Sequence, residues 1–370
     1  MSAGSLRRSH TTAILSRKVS QRCLSSAKNL LAIRGGHVLL EALGNNVMLT
    51  TGIFRREGHD LVGLDVLRGV AIALVLVAHF YGSLMPLTAQ LVCANGGVSL
   101  FFFLSGFLMD RTFSQEPRLI PYITRRSFRI LPMYWFSIAA IFLFDPGWTV
   151  SNVITNAFFV APAVHAPRMS GVYWTLYIEV LFYALVPLLW YSGRRAVALA
   201  PYFLIAVYAI CLLAGLKISA APFYVLYCLA GMQMGAWKRN TISGFTVSAT
   251  LVTIVIASSV LPIVAPWLGL VPFVCASLLW IVLHYRVRFA LLEVFGNVSY
   301  SWYLLHPIVG YPAMVAAHSL GVLGAASFGV AVSFLASALT FAVVEAPLIK
   351  AGRVLVREYR NVYAAASAGE

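Results

Sequence analysis

The feature of this sequence that most constrains its fold is a series of apolar runs, which recurs from residue 64 onward with short basic or Pro/Gly interruptions. A helix of about 20 apolar residues is long enough to cross the hydrocarbon layer of a bilayer. Of the 370 residues, 60% are apolar or aromatic and 11% are charged, whereas about a quarter of an ordinary soluble domain is charged. These values exclude a soluble globular protein, a disordered protein and a coiled coil. They predict an all-α, polytopic membrane bundle.

The runs predict about ten transmembrane helices. The predicted spans lie roughly at residues 64–85, 95–110, 130–145, 172–191, 196–215, 220–237, 243–261, 267–284, 297–317 and 322–345. The second and third spans look short. We expect cytoplasmic N- and C-termini, because Arg and Lys concentrate in every second loop and basic loops stay in the cytoplasm. With this orientation the outer loops hold only Arg168 and Lys217.

The chain divides into three predicted parts. Residues 1–60 form a basic, Ser/Thr-rich extension, which is typical of a transit peptide or a cytoplasmic tail. An equally good interpretation is that translation starts at Met48. Residues 61–350 form the transmembrane domain, and residues 351–370 form a short cytoplasmic tail. Because no stretch remains for a soluble catalytic domain, we expect the chemistry to occur in the membrane or at its faces.

The net charge of +15 does not indicate a nucleic-acid partner. The basic residues lie at the ends of apolar runs, where they set membrane orientation. The five cysteines lie mostly inside apolar runs and show no zinc spacing such as C-x-x-C. We therefore interpret them as small hydrophobic residues and expect no metal site.

The first span, GLDVLRGVAIALVLVAHF, contains Asp65, Arg68 and His79. An ionisable group in a membrane span is costly unless it is paired or hydrated, so each is a functional candidate. Arg68 and His79 share one helix face and are separated by about 16 Å along the axis. Arg68 then lies near the cytoplasmic end and His79 inside the bilayer, where a neutral imidazole can act as a general base. A hydrogen-bonded packing histidine is the alternative.

The next two motifs contain further candidates. In GGVSLFFFLSGFLM, Ser105 is a possible nucleophile, although Ser105-Gly106 better fits close helix packing. In RRSFRILPMYW, Arg125, Arg126 and Arg129 lie close together near a helix start. Three guanidinium groups there can hold phosphates through charge-assisted hydrogen bonds. The alternative for the arginines is the ordinary attraction of basic loops to anionic lipid headgroups.

Three ionisable residues lie in later spans. YWTLYIEVLFYALVP places Glu179 among aromatic residues, where a carboxylate must be protonated or paired, for example with an arginine or with His79. GNVSYSWYLLHP contains His306, whose alternative role is to bond the backbone carbonyls that Pro307 leaves free. Glu345 ends the last predicted span at the cytoplasmic edge, and we interpret it as structural.

Five segments in this order make the sequence similar to the membrane-bound acyltransferase 3 family, which includes bacterial O-antigen and nodulation-factor O-acetylases. The segments are LDVLRGVAIALVLVAHF, GVSLFFFLSGFL, RRSFRILPMYW, YWTLYIEVLFYALVP and NVSYSWYLLHP. The resemblance covers roughly residues 60–350. It implies transfer of an acyl group, by default acetyl, from cytoplasmic acyl-CoA to a hydroxyl. The implied partners are a carbohydrate or lipid-linked sugar acceptor and membrane lipids, and the implied location is a bacterial inner membrane.

The resemblance also implies roles for single residues. The matched positions are the essential Arg and His of the first helix (Arg68, His79), the R-x-x-R at the CoA end (Arg126, Arg129), the W-x-x-x-x-E…FY segment (Glu179, Tyr183) and the late S-Y-x-x-Y-L-x-H (His306). Two departures from the family pattern bear on acceptor choice. Ser99 stands where members often have Asp, and Val180-Leu181 replaces a frequent Glu-Gln.

The expected mechanism is direct transfer, in which His79 removes the proton of the acceptor hydroxyl while the cytoplasmic arginines hold the CoA phosphates. Glu179 or Asp65 is expected to orient the imidazole, as a carboxylate does in a catalytic triad. An acyl-enzyme on His79 or Ser105 is the alternative mechanism. The alternative function is a proton-coupled transporter or flippase, because intramembrane ionisable residues in Gly-broken helices also suit a carrier. A receptor or scaffold would leave these residues unexplained.

Overall fold

The computed structural model describes residues 59–216, 219, 221–261 and 265–368. Apart from the backbone of residues 59 and 60, the predicted N-terminal extension lies outside the described residues. The described part is helical and contains no strand. Residues 56–349 belong to one compact unit, which contains all the candidate site residues, and the described residues from 350 onward belong to a separate unit.

The helices of the first half are, in chain order, α1 (His59–Phe80), α2 (Leu87–Gln115), α3 (Leu119–Phe144), α4 (Val150–Ala157), α5 (Tyr173–Tyr191) and α6 (Arg194–Leu213). Those of the second half are α7 (Val225–Lys238), α8 (Gly244–Val260), α9 (Val271–His284), α10 (Ala290–Leu305), α11 (Tyr311–Ala316), α12 (Gly321–Thr340) and α13 (Ala346–Ala368). Short 3₁₀ helices precede α7 and α9.

Seven helical segments of the described chain are long and apolar enough to cross a membrane. They are Val62–Phe80, Leu87–Gln115, Leu119–Phe144, Tyr173–Tyr191, Arg194–Leu213, Pro266–His284 and His318–Ala364. The predicted fold class, an all-helical multi-pass bundle, is thereby confirmed, while the number of ten spans and the orientation of the termini stay predictions. The expectation that the second and third spans are short is wrong, because α2 has 29 residues and α3 has 26. Both helices continue through polar flanks that a count of apolar residues leaves out.

The core is built around α1 and α2. Helix α1 packs between α2 and α10, and α2 also packs against α7. Glycines make the α2–α7 crossing close: a Cβ atom at Gly106 would lie 1.8 Å from the carbonyl oxygen of Cys228, and one at Gly231 would lie 1.9 Å from that of Phe103. Small residues bring membrane helices together in this way, so the packing interpretation is confirmed for Gly106, while the role of Ser105 stays a prediction.

Two π-helical turns interrupt the C-terminal helices. One covers His306–Gly310 between α10 and α11, and the other covers Phe341–Glu345 between α12 and α13. Each turn shifts the hydrogen-bond register, and such turns are frequent at functional sites. The first of them contains the candidate residue His306. The predicted spans 297–317 and 322–345 gave no sign of either turn.

Candidate active site

A cavity that is partly open to solvent lies between α1, α2, α3, α5 and α10, and its space, with the open part included, is about 800 Å³. Six of the nine predicted site residues line it: Arg68, Ser105, Arg126, Arg129, Glu179 and Tyr183. Its other walls are aromatic or aliphatic, with Ser299, Tyr300, Tyr303 and Thr175 as additional polar residues. All four were missed as candidates, although Ser299, Tyr300 and Tyr303 belong to the S-Y-x-x-Y segment that precedes His306. Arg125, His79 and His306 do not line the cavity.

Two arginines of α3 form ion pairs inside the protein. Arg125 pairs with Glu116, outside the cavity. Arg129 pairs with Glu345, whose other carboxylate oxygen accepts a hydrogen bond of 2.5 Å from the Ser301 hydroxyl. The side chain is only 1% exposed, and the helical path continues past it into α13. The expectation that the last span ends at Glu345 is therefore wrong, while its position near the cytoplasmic face stays a prediction.

Arg126 has a different environment. Its Nη2 donates a hydrogen bond of 3.2 Å to the Thr112 hydroxyl, and its guanidinium lies 5.8 Å from the centre of the Tyr183 ring. Its Nε is buried and has no hydrogen-bond partner within the described part of the chain. A buried N–H without a partner is costly. Arg126 is thus a cation of the cavity wall with an N–H group that lacks a partner among the described residues.

Glu179 lies in a cluster of hydroxyl groups. Tyr183, one helical turn along α5, donates a hydrogen bond to its carboxylate, and the Ser105 hydroxyl lies 3.3 Å from the same oxygen. Residues four apart in a helix share a face, which explains why the sequence segment places Glu179 and Tyr183 together. The predicted pairing of Glu179 with His79 is not found. Its hydrogen-bond partners are hydroxyl groups.

The second part of the site is a pair of histidines. His79 Nδ1 lies 2.7 Å from His306 Nε2, and the two rings stack with centroids 5.0 Å apart. His306 is fully buried, and its Nδ1 lies 2.8 Å from the carbonyl oxygen of Tyr303. The expectation that a carboxylate orients His79 is wrong, since His306 occupies that position. Asp65, the other predicted partner, lies 3.6 Å from Arg68.

Tyr303 links the cavity to the histidine pair. Its side chain lines the cavity, and its ring centre lies 5.9 Å from that of His306. Its hydroxyl lies 3.0 Å from the hydroxyl of Thr175, another cavity residue. Tyr303 therefore contacts both the cavity and the ring of His306.

The described residues contain no group of three or more His, Cys, Asp or Glu side chains that could hold a metal ion. The site is instead made of guanidinium groups, hydroxyl groups, one carboxylate and two imidazoles. These features define a class: a multi-pass helical membrane protein whose ionisable side chains surround a cavity inside the bundle.

The chain belongs to the acyltransferase 3 family. The family model, described as an acyltransferase domain, matches residues 61–344. The resemblance found in the five motifs is thereby confirmed.

The chain is also similar in sequence to two individual proteins. The chain is 28% identical over 170 residues to Nodulation protein 10 of Rhizobium leguminosarum bv. viciae, an alignment that covers 36% of this chain and 46% of that protein. It is 31% identical over 98 residues to ORF330 of Acidianus two-tailed virus, a protein whose name proposes an acetyltransferase, with 25% of this chain and 30% of the viral protein covered. The chain thus spans less than half the length of both relatives. No solved structure matches it.

Proposed function

We propose that this protein is a membrane acyltransferase that transfers an acetyl group from cytoplasmic acetyl-CoA to a hydroxyl of a carbohydrate or lipid-linked sugar, with His79 as the general base. The observation that carries the proposal is the cavity, in which three guanidinium groups and an apolar wall face one space that Tyr303 connects to the histidine pair. A relative named as an acetyltransferase supports the choice of acetyl. By the same family resemblance, we place the protein in a bacterial inner membrane.

The cavity suits the two chemical parts of acyl-CoA. The nucleotide phosphates are anionic, and guanidinium groups bind phosphate through paired, charge-assisted hydrogen bonds. Arg126 contributes the buried N–H that lacks a partner among the described residues. The pantetheine arm is long and thin, and the apolar wall formed by Val98, Phe101 and Leu104 offers it a water-poor surface.

The chemical step is written for direct transfer. The acceptor oxygen attacks the thioester carbonyl while its proton moves to His79, the new C–O ester bond forms, and the C–S bond breaks. The leaving CoA thiolate then takes the proton from the imidazolium, which restores neutral His79. A positioned general base contributes typically 10²–10⁴-fold to the rate. Tyr303 lines the cavity and adjoins His306, so we expect the thioester to approach His79 along this residue.

A second mechanism is favoured by one observation: Ser105 lines the cavity, and His79 does not. The Ser105 hydroxyl lies 3.3 Å from the Glu179 carboxylate, which can accept its proton. Attack of Ser105 on the thioester would release CoA and leave an acyl ester on the protein. Incubation with radiolabelled acetyl-CoA in the absence of acceptor distinguishes the two routes. Only the acyl-enzyme route leaves label on the denatured protein, and this label should be absent from Ser105→Ala.

The donor part of the proposal is tested by binding of tritiated acetyl-CoA to the full chain in nanodiscs. Arg126→Gln should weaken binding by about 10-fold or more, because a hydrogen bond to a charged group contributes about 1.5–3 kcal/mol. Arg125→Gln is the matched control: we predicted a role for this neighbouring arginine as well, but it lies outside the cavity and pairs with Glu116. Equal affinities of Arg126→Gln and the unsubstituted protein would contradict the proposed donor site.

The acceptor part is tested in the source organism. Glycans and lipids of a deletion strain are compared by mass spectrometry with those of strains that carry the unsubstituted protein or His79→Ala. We expect one ester of defined mass to disappear on deletion and to return only with the unsubstituted protein. A folded, membrane-inserted His79→Ala that restores the ester at the normal rate would overturn the general-base role.

A further inference from the structure

We infer that His306 is a positioning residue that determines which nitrogen of His79 carries a proton. It holds His79 in the tautomer protonated at Nδ1, and Nε2 is then the basic atom. The catalytic meaning of this inference rests on the proposed function. The protonation pattern itself is a property of the resting protein, and it can be measured without any substrate.

The argument begins with the backbone at Pro307. In an α-helix the carbonyl of Tyr303 accepts a hydrogen bond from the N–H of the residue four positions later, which is Pro307. Proline has no N–H, so this carbonyl lacks its helical partner. His306 Nδ1 lies 2.8 Å from the Tyr303 oxygen and 3.2 Å from that of Trp302. Since a carbonyl oxygen only accepts hydrogen bonds, His306 Nδ1 must carry the proton.

The next step follows from the chemistry of a neutral imidazole, which has one N–H donor and one acceptor nitrogen. His306 is completely buried, and the rings around it belong to Phe80, Tyr303 and Tyr311, which offer no counter-charge. An unpaired charge is expensive in such a place, so His306 is neutral and its Nε2 is an acceptor. The facing atom, His79 Nδ1 at 2.7 Å, must then be the donor.

Two hydrogen bonds therefore run in one direction, from His79 Nδ1–H to His306 Nε2 and from His306 Nδ1–H to the Tyr303 carbonyl. They leave the lone pair of His79 at Nε2. When Nε2 takes the proton of the substrate hydroxyl, the two hydrogen bonds stabilise the resulting imidazolium. In a catalytic triad a carboxylate orients the imidazole in this way. Here a second imidazole and a backbone carbonyl replace it and add no negative charge to the bundle.

The direct test is nitrogen NMR of the full chain in nanodiscs, labelled with ¹⁵N-histidine and kept free of substrates. The chemical shifts of the two ring nitrogens distinguish the tautomers, and His79→Gln and His306→Leu assign the signals. We expect both His79 and His306 to be protonated at Nδ1. A free imidazole favours protonation at Nε2, so His79 should shift toward the Nε2-protonated form in His306→Leu.

His284→Leu is the matched control, because His284 Nδ1 also lies 2.9 Å from a backbone carbonyl oxygen, that of Trp280, but on the exposed surface. It should leave the His79 signals unchanged. An Nε2-protonated His79 in the unsubstituted protein overturns the inference, as does a His79 signal that is the same in His306→Leu. The unsubstituted spectrum decides on its own if the leucine variant does not fold.

The activity readout separates positioning from structural support. His306→Leu should lower kcat by about 10²-fold or more, since loss of the correct tautomer in a triad is that costly. The KM for acetyl-CoA should stay within about two-fold because His306 does not line the cavity. His306→Gln should recover part of kcat, because an amide can donate to the Tyr303 carbonyl and accept from His79. A normal kcat in folded His306→Leu contradicts the inference.

The proposed function and the inference about the His79 tautomer can be rejected independently of each other. Nδ1-protonated His79 in a protein without acyl transfer from acetyl-CoA would reject the proposed donor and keep the inference. Nε2-protonated His79 in a protein that acetylates its acceptor would reject the inference and keep the function.

Discussion

The ion pair between Arg129 and Glu345 predicts an asymmetric response to substitution. The two side chains are 216 residues apart in sequence and join α3 to the π-helical turn before α13. Glu345 is 1% exposed and Arg129 is 14% exposed. Arg129→Gln leaves a buried carboxylate whose remaining hydrogen bond comes from Ser301. Removing one partner of a buried pair costs about 3–5 kcal/mol, and we expect a loss of this size.

The reverse substitution should cost less. Glu345→Gln keeps a polar group that can accept from Ser301, and the guanidinium of Arg129 still faces the cavity, where water can reach it. We expect a loss of about 1–3 kcal/mol, the cost of a buried group that loses part of its hydrogen bonding. The double substitution should recover most of the stability lost in Arg129→Gln, because it leaves no uncompensated charge.

The free energy of unfolding can be measured for the four proteins by titration with SDS in mixed micelles, followed by circular dichroism. Equal losses in the two single variants, or a double variant no more stable than Arg129→Gln, would contradict the asymmetry derived from the exposures. The same four proteins test the donor site. If Arg129 also binds donor phosphate, the stable double variant should still bind acetyl-CoA about 10-fold more weakly than the unsubstituted protein, the loss expected for a charge-assisted hydrogen bond.

Two further predictions concern the crossing of α2 with α7 and the cavity residue Tyr303. Gly106→Ala should destabilise the protein by about 1–3 kcal/mol through overpacking. Gly96→Ala is the control and should have no such effect, since nothing lies within 4 Å of a Cβ at Gly96. Unfolding in mixed micelles measures both variants, and equal stabilities would refute the tight crossing. Tyr303→Phe should cost about 1 kcal/mol of stability through the lost hydrogen bond to Thr175. It should also increase the hydrolysis of acetyl-CoA in the absence of acceptor, because the cavity wall loosens. An unchanged hydrolysis rate would show that the Tyr303 hydroxyl does not help to close the cavity.

Much of the candidate site was predictable because its chemistry is unusual for its location. Arg68, Glu179 and His306 are ionisable residues in apolar runs, and this contrast is visible without a structure. The contact between Glu179 and Tyr183 was not predicted, although their spacing of four residues on one helix explains it. Tyr303 was missed because an aromatic residue in an apolar span is the normal case and carries no such contrast.

The partners of these residues were not predictable. A carboxylate was the expected partner of His79, because a carboxylate is the usual one in soluble enzymes. The observed partner, His306, is 227 residues away, and its orientation depends on the π-helical turn that begins at that residue. The chemistry of the three arginines of α3 looked equivalent, but the family motif matched only Arg126 and Arg129, and these are the two that line the cavity.

The amino-acid sequence by itself determined that this chain enters a bilayer as helices, and its motifs indicated the acyltransferase 3 family. Both conclusions depend on properties that can be read along the chain, namely the length of apolar runs and the spacing of residues. Only the tertiary structure decided that the histidines form a pair outside the cavity, that Glu345 is buried against Arg129, and that Tyr303 contacts both the cavity and His306. A hydrogen bond requires two atoms within about 3 Å. For residues on different helices, that distance is set by how closely the helices cross and where a helical turn changes its register.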